Sequence, residues 1–188
     1  MFLKDYFSKI EKKYQNYFFS NITFDSSKIK KNFIFFAIKG NKYDGHNFIK
    51  DAVKKGAKVI VHEKKFSGLK DKILYIKTNN VRKLLAEVSF KINNLKPKNL
   101  VSVTGTNGKS SIADFYFQIL KLNKKSVASI GTLGIKTNHS LINLPNTTID
   151  PLRLSEILKN LKKRNIDNVI LEASSHGLKQ HRLDGLLF

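Results

Sequence analysis

The sequence predicts an α/β protein made of two consecutive domains, each built on a parallel sheet. Short runs of β-branched and aromatic residues alternate with segments whose apolar residues recur at helical spacing, as in parallel sheets with crossover helices. With 188 residues, 41% of them hydrophobic, the chain has enough apolar material for two small cores. The polar segment NNLKPKN at residues 93–99 contains one of only three prolines. We therefore place the boundary there and assign residues 1–96 and 97–188 to the two domains.

The first domain is predicted to contain three strands and two helices. Its strands come from three apolar runs, at residues 33–38, 59–61 and 73–76. The first helix begins near Phe48 and ends at Gly56, a residue type that often follows the last helical turn. Residues 81–92 carry apolar side chains along one stripe and predict the second helix.

The second domain repeats the alternation of strands and helices. Its strands are predicted at residues 100–103, 127–130 and 169–171. One helix is predicted at residues 110–122, with Ile112, Phe115 and Ile119 among its apolar residues, and another at residues 151–164, opened by a proline. A turn-rich, hairpin-like stretch reaches Pro145, and the final LLF looks like the start of another strand. Three strands and a stub are too few for a complete nucleotide-binding sheet, so the sequence is interpreted as a fragment.

The composition excludes several classes of protein. No cysteine is present, which excludes a disulfide scaffold, a thiolate metal site and cysteine nucleophilic catalysis. The N-terminus has no uninterrupted apolar stretch and no small-residue cleavage site, and no run approaches the roughly 18 apolar residues of a membrane span. We expect a cytoplasmic, monomeric protein without a membrane partner.

The net charge of +21 raises the question of nucleic-acid binding. Lysines outnumber arginines 31 to 4, whereas base recognition favours the bidentate guanidinium group. The lysines are scattered in pairs, and a genome rich in A and T would give the same bias towards Lys, Asn, Ile and Phe. We expect a generic basic surface and no nucleic-acid partner. The alternative is a basic phosphate-loop protein that binds RNA or DNA, which a steep loss of binding with salt would favour.

The strongest local motif is TGTNGKSS at residues 104–111, between a predicted strand and a predicted helix. Small residues let successive backbone N–H groups face an anion, and a helix N-terminus adds the positive end of its dipole. Lys109 can reach the β- and γ-phosphates of a nucleotide, and the Ser110 hydroxyl suits Mg²⁺. Val103 stands where the usual motif has its first glycine, so the loop is a shorter variant. The motif predicts a nucleoside triphosphate site.

Polar residues follow the third strand of the second domain. Because ligands of open α/β sheets collect at the carboxyl ends of the strands, Glu172 is expected near the phosphate loop, where it could hold Mg²⁺. His176 lacks an evident partner and is interpreted as a cap of the next segment, and residues 146–148 are interpreted as a helix cap or an anion site. Gln180 and Arg182, one of only four arginines, offer groups for a carboxylate or phosphate.

These segments together resemble the Mur ligases, the ATP-dependent amide-forming enzymes of peptidoglycan synthesis. The resemblance is carried by the phosphate loop, by FFAIKG at residues 35–40 and by LEASSHGLKQHR at residues 171–182. Further matches at residues 25–26, 44–45 and 146–148 extend it over essentially the whole chain. Within the family, the chain looks most like the branch that adds the third residue of the peptide. The branch that adds D-Ala-D-Ala should lack the LEASSHG stretch, and folylpolyglutamate synthetases should lack the first domain.

The resemblance implies an ATP- and Mg²⁺-dependent ligase that joins meso-diaminopimelate or L-lysine to UDP-MurNAc-L-Ala-D-Glu through an acyl phosphate. Residues 1–96 would bind the uridine nucleotide, and residues 97–188 would be a truncated phosphate-loop ATPase domain with a parallel sheet. Lys109 and Glu172 would be catalytic, and Ser110 with Glu172 would hold the metal. ATP would be bound by Gly105, Thr106, Asn107, Gly108, Lys109, Ser110 and Ser111. The substrate would be bound by Phe24, Ser26, Asn41, Lys42, Tyr43, Asn146, Thr147, Thr148, Ser174, Gln180 and Arg182.

The chain departs from the family pattern at two places in the first domain. The family usually has Asp-Ser-Arg after the first strand, whereas Ser27 and Lys28 follow Ser26 here, and it has Gly-Asp where this chain has Asn32 and Phe33. Family members also have a longer central domain and a third domain that binds the amino acid. The 188 residues alone are therefore expected to bind the UDP-MurNAc-dipeptide weakly and to show no measurable ligase activity.

Overall fold

The computed structural model describes residues 1–41, 43–143 and 147–188. The chain divides into two compact units, Met1–Val88 and Ser89–Phe188. The boundary predicted from the polar segment, after residue 96, lies eight residues beyond this division, which falls after Val88. No helix in the described part is long and apolar enough to cross a membrane.

The first unit contains a five-stranded, mostly parallel sheet. Its strands are β1 (Asn21–Thr23), β2 (Phe33–Phe36), β3 (Ala57–His62), β4 (Gly68–Lys70) and β5 (Ile73–Lys77). They are ordered β1-β2-β3-β5-β4, and only the edge strand β4 runs antiparallel to its neighbour. The three predicted strands are confirmed. Strands β1 and β4 were not predicted because each is only three residues long, too short for a periodic signal.

Three helices accompany this sheet: α1 (Leu3–Tyr6), α2 (Ile49–Lys54) and α3 (Val81–Ile92). The predicted bounds of α3 are confirmed. Gly56 follows α2 with a φ of 106°, and its N–H donates to the carbonyl of Val53 at 3.0 Å, which confirms the predicted helix end. Asn32, where the family usually has glycine, has a φ of 63°, and asparagine is among the few other residues that adopt this conformation readily.

The second unit also contains a five-stranded sheet, with two more strands than predicted. Its strands are β6 (Asn99–Val103), β7 (Val127–Gly131), β8 (Gly134–Thr137), β9 (Leu141–Ile142) and β10 (Asn168–Glu172). In the order β6-β10-β7-β8-β9, the first three strands are parallel, while β8 and β9 form the expected hairpin-like stretch and run antiparallel to their neighbours. Strand β10 therefore lies between β6 and β7, which explains its uninterrupted apolar run.

The helices of the second unit are α4 (Lys109–Leu122), α5 (Pro151–Lys163) and α6 (Ser175–Lys179). The apolar residues noted in α4 do not form its buried face: Ala113 and Phe117 are buried, whereas Ile112, Phe115 and Ile119 are more than half exposed. The strand expected at the end of the chain is wrong, because residues 186–188 adopt no regular structure.

Candidate functional site

The glycine-rich loop connects β6 to α4 at one edge of the sheet and is open to solvent. Residues 104–108 are all exposed. Gly105 and Gly108 have φ values of 148° and 80°, in the region that side chains other than glycine rarely enter. Gly108 is the N-cap of α4, a helix of 14 residues, so the first N–H groups of the helix have no partner within it. This loop can present several N–H groups and a positive dipole end to an anion.

Lys109 is the first residue of α4, and its side chain folds back over the loop. Its Nζ atom donates to the carbonyl of Gly105 at 2.7 Å and to that of Thr106 at 3.2 Å. These bonds place the ammonium group on the loop itself. An incoming phosphate would meet one positive charge in addition to the backbone N–H groups.

Glu172 is the last residue of β10 and only 3% exposed. Its Oε2 atom accepts hydrogen bonds from Ser110 Oγ at 2.9 Å and Thr132 Oγ1 at 3.0 Å, and its Oε1 atom accepts one from the Thr132 N–H at 3.1 Å. Within the described ranges, no lysine, arginine or histidine forms an ion pair with this carboxylate. Among the described residues, the partners of this buried carboxylate are hydroxyl and amide groups.

This donor set fits Mg²⁺. A carboxylate and a serine hydroxyl are the hard oxygen ligands that Mg²⁺ prefers, and it usually completes its shell with water and phosphate oxygens. A buried carboxylate without a cationic neighbour is also costly, and a divalent cation would reduce that cost. The described residues include no group of three or more His, Asp or Glu side chains that could hold a metal alone. A cation here would depend on the phosphates of a nucleotide.

Thr148 and Ser174 lie directly beside Glu172. The Thr148 hydroxyl donates to the Glu172 carbonyl at 3.0 Å and accepts from the Ser174 N–H at 2.9 Å. Ser174 Oγ in turn accepts from the Gly177 N–H at 3.0 Å and caps α6. The helix cap in this region is thus Ser174, and the interpretation of His176 as a cap is wrong. Thr147 is half-buried nearby, with its Oγ1 atom 3.0 Å from Thr132 Oγ1.

The α5 helix is capped by a different residue from those expected. Asp150 accepts a hydrogen bond from the Arg153 N–H at 3.0 Å, so Thr147 and Thr148 do not cap this helix. The Thr148 hydroxyl contacts the end of β10 instead, and the Thr147 hydroxyl contacts Thr132. Asn146, the remaining residue of the group predicted at 146–148, lies outside the described residues.

Arg182 and Gln180 form a small polar cluster after α6. The Arg182 guanidinium donates to Gln180 Oε1 through Nε at 3.1 Å and through Nη2 at 2.8 Å, and to the Thr148 carbonyl through Nη1. Gln180 Nε2 lies 2.6 Å from Nε2 of the exposed His176. The structure therefore brings Arg182, Gln180, Thr148 and Ser174 together beside Glu172.

The residues expected to contact a uridine nucleotide follow β1 and β2 of the first unit. Phe24, just after β1, is 38% exposed, and Ser26 begins a turn in which Asp25 accepts from the Ser27 N–H at 2.9 Å. Asn41 and Tyr43 follow β2, and the Tyr43 ring is 73% exposed. Because β1 and β2 are adjacent and parallel, these segments lie at the same edge of the sheet. Lys42 lies outside the described residues.

Two family descriptions match the chain. Residues 19–91 match the Mur ligase family catalytic domain, and residues 103–188 match the Mur ligase middle domain. The chain belongs to the Mur ligase family. The middle-domain match contains the whole loop at residues 104–111 together with Thr132 and Glu172.

Similar proteins bear the same name in different bacteria. This Mur ligase chain is 40% identical over 174 residues to the UDP-N-acetylmuramoyl-L-alanyl-D-glutamate--2,6-diaminopimelate ligase of Rickettsia typhi, over 90% of the chain and 35% of the relative. The ligase of that name from Clostridium tetani is 40% identical over 173 residues, 89% of the chain and 36% of the relative. The chain thus spans about a third of the length of the curated relatives it matches.

Solved structures agree with this fold. A ligase of the same name matches 98% of this Mur ligase chain and 38% of its own, with a TM-score of 0.81 and 27% identity. A MurF ligase from Thermotoga maritima in complex with ADP matches 82% of the chain and 32% of its own, with a TM-score of 0.53 and 23% identity.

The sequence did not lead us to Thr132 and Gly131, which line the candidate site around Glu172. A Cβ atom added to Gly131 would lie 2.1 Å from Glu172 Oε1, so the carboxylate occupies the space that a side chain there would fill. Gly131 is the last residue of β7 and Thr132 follows it, and β7 lies next to β10 in the sheet. The rule that ligands collect at the carboxyl ends of strands applies equally to β7 and could have pointed to them.

Proposed function

We propose that this chain carries the uridine-nucleotide and ATP sites of a ligase that joins 2,6-diaminopimelate to UDP-MurNAc-L-Ala-D-Glu. The observation that carries the proposal is the contact between Ser110 and the buried Glu172 at the mouth of the open glycine-rich loop. The choice of substrate rests on relatives that are 40% identical and bear this name. The TM-score of 0.81 to a ligase of that name, against 0.53 to a MurF ligase, supports the same branch.

We assign the triphosphate of ATP to residues 105–111. The N–H groups at the start of α4 would bind the phosphates, and Lys109 would neutralise charge that develops on the transferred γ-phosphoryl group. Ser110 and Glu172 would hold Mg²⁺, which when bound withdraws charge from the phosphate oxygens and aligns them. Lys109 and Glu172 are the proposed catalytic residues.

The muramoyl-peptide part is assigned to the polar cluster beside Glu172. Arg182 is suited to a carboxylate of the D-Glu residue, and Gln180, which accepts two of its N–H groups, keeps the guanidinium oriented. Thr147, Thr148, Ser174 and Asn146 complete the proposed set. The UDP part is assigned to Phe24, Ser26, Asn41, Lys42 and Tyr43.

The proposed reaction has two steps. The side-chain carboxylate of D-Glu attacks the γ-phosphorus of ATP in line with the leaving ADP, and the acyl phosphate formed is then attacked by an amine of the diamino acid, releasing phosphate. The residues of this chain contribute to the first step by holding the carboxylate and the triphosphate in line. Because the chain spans about a third of its relatives, amide formation itself is assigned to the longer ligase.

Nucleotide binding provides the direct test. In isothermal titration of the 188-residue protein with a non-hydrolysable ATP analogue and Mg²⁺, Lys109→Met should weaken binding at least about tenfold, since a charge-assisted contact contributes about 1.5–3 kcal/mol. Lys121→Met, at the exposed far end of α4, is the matched control and should bind like the wild type. Equal losses of binding affinity in the two variants would show that Lys109 contributes only general positive charge, which would contradict its assignment to the phosphate site.

Binding of the uridine substrate is tested separately. Titration with UDP-MurNAc-L-Ala-D-Glu should give a weak but saturable signal that the ATP analogue does not compete away. Arg182→Lys keeps the charge but loses the planar, bidentate guanidinium group. We expect this variant to bind UDP-MurNAc-L-Ala-D-Glu more weakly and to bind the ATP analogue as tightly as the wild type does. Salt-sensitive binding of RNA or DNA with no binding of either nucleotide would favour the nucleic-acid alternative instead.

A further inference from the structure

We infer that Thr132 is a positioning residue for the metal site: it holds the Glu172 carboxylate in the orientation that, with Ser110, receives the Mg²⁺ of MgATP. The inference rests on the proposed function and extends it to a residue whose role neither the motif nor the family resemblance indicated. It follows from the contacts around Glu172, the space left by Gly131 and the direction of the hydrogen bonds.

Thr132 contacts both oxygens of the carboxylate. Its N–H donates to Oε1 at 3.1 Å and its hydroxyl donates to Oε2 at 3.0 Å. Two donors on one residue fix the plane of the carboxylate as well as its position. Ser110, the other side-chain donor, reaches Oε2 only.

Because Gly131 has no side chain, the Glu172 carboxylate can pack against the backbone of β7. The atoms nearest to a Cβ built at Gly131 are Oε1, Cδ and Cγ of Glu172, at 2.1, 2.3 and 2.5 Å. The Glu172 side chain therefore lies against the backbone of β7. Thr132, which follows Gly131, donates hydrogen bonds to both oxygens of the carboxylate. Gly131 and Thr132 together form a socket that holds the Glu172 side chain.

The Thr132 hydroxyl is itself oriented by Thr147. A hydroxyl has one hydrogen, and Thr132 gives it to Glu172, because an ionised carboxylate can only accept. In the 3.0 Å contact between the two threonine hydroxyls, Thr147 must then be the donor. Hydrogen bonds thus run in one direction, from Thr147 through Thr132 to the buried Glu172 carboxylate.

This arrangement matters most when a cation binds. Ser110 donates to Glu172 in the present structure, and when its oxygen coordinates a metal, its hydrogen must turn away from the cation and can leave Oε2. The two bonds from Thr132 do not need to change. Thr132 would therefore keep the carboxylate in place while Ser110 exchanges its partner.

The test replaces Thr132 in the 188-residue protein and measures metal binding directly. Mn²⁺ serves as the probe because it prefers the same oxygen ligands, and its free concentration is followed by electron paramagnetic resonance in the presence of a non-hydrolysable ATP analogue. Thr132→Val removes the hydroxyl and keeps the shape, and we expect about tenfold weaker Mn²⁺ binding, as for other residues that orient metal ligands. Thr132→Ser retains the hydroxyl and should stay within about twofold of the wild type.

A double-mutant cycle separates positioning from a general loss of structure. If Thr132 acts through Glu172, adding Thr132→Val to the Glu172→Gln variant should weaken Mn²⁺ binding by less than about a further twofold. Equal binding by wild type and Thr132→Val, or equal losses in the valine and serine variants, would overturn the inference. Failure of the wild type itself to bind Mn²⁺ with the nucleotide would instead contradict the proposed function.

Discussion

Replacing Gly131 with alanine is the sharpest perturbation of the site. The added methyl would lie 2.1 Å from Glu172 Oε1 and 2.5 Å from its Cγ, whereas carbon atoms in contact ordinarily stay about 3.5–4.0 Å apart. Gly131 does not have a positive φ, so alanine fits the backbone, and the three atoms nearest to its methyl group all belong to Glu172. The glutamate side chain must therefore leave its socket.

The size of the effect follows from the bonds that Glu172 would lose. Its carboxylate accepts three hydrogen bonds, and each bond to a charged group contributes about 1.5–3 kcal/mol. A displaced carboxylate regains water, which offsets much of that loss. We expect Gly131→Ala to lower the free energy of unfolding of the second unit by about 2–3 kcal/mol, in the range of overpacked cores.

Urea unfolding followed by far-ultraviolet circular dichroism measures this change, with separate transitions fitted for the two units. The control is the same substitution in a Glu172→Ala background, where all three colliding atoms are absent. There Gly131→Ala should change the free energy of unfolding by less than about 1 kcal/mol. Equal losses in both backgrounds would show that the collision with Glu172 is not the cause.

Three further substitutions or conditions test other parts of the fold. Burial, together with the nearby His46 and Lys64, lowers the pKa of His62, so as the pH falls below about 6.5 the unfolded chain gains this proton before the folded chain does. The free energy of unfolding should fall by at most about 1.4 kcal/mol per pH unit as the pH is lowered from 7.5 to 5, which lowers the melting temperature, and His62→Leu should remove this part of the slope. Asp150→Ala removes the cap of α5 and should destabilise the second unit by about 1 kcal/mol in urea unfolding, while Asp150→Ser should restore it. Gly177→Ala would put a methyl 2.7 Å from Thr148 Cβ and should lower the urea midpoint of the second unit, and an unchanged midpoint would contradict this packing.

Periodicity was sufficient for the longer elements. The apolar stripe of residues 81–92 predicted α3 with its observed bounds, and the run at residues 169–171 identified the core of β10. The three-residue strands β1 and β4 gave no such signal. The apolar residues noted in α4 did not identify its buried face, because hydropathy alone does not say which face of a helix packs against the sheet. The buried residues of α4 are Ala113 and Phe117.

The candidate site could be predicted only in part. The loop and Glu172 could be identified because glycine, lysine and serine in that spacing, and a charge at the end of an apolar strand, are local signals. The sequence interpretation placed the cap of α5 among residues 146–148, whereas Asp150 supplies it and the Thr148 hydroxyl donates to the Glu172 carbonyl. Both are common capping residue types, and only the course of the chain decides which one stands before the helix and which one faces β10.

The sequence by itself determined that two α/β units follow one another and that a glycine-rich turn with a lysine begins a helix, because backbone conformation and hydrophobic period are properties of neighbouring residues. Only the tertiary structure decided which side chains surround Glu172. Ser110 and Thr132 lie 62 and 40 residues away from it in sequence. They meet it because β10 is inserted between β6 and β7, an order of strands that depends on how the whole sheet packs and leaves no periodic trace in the chain.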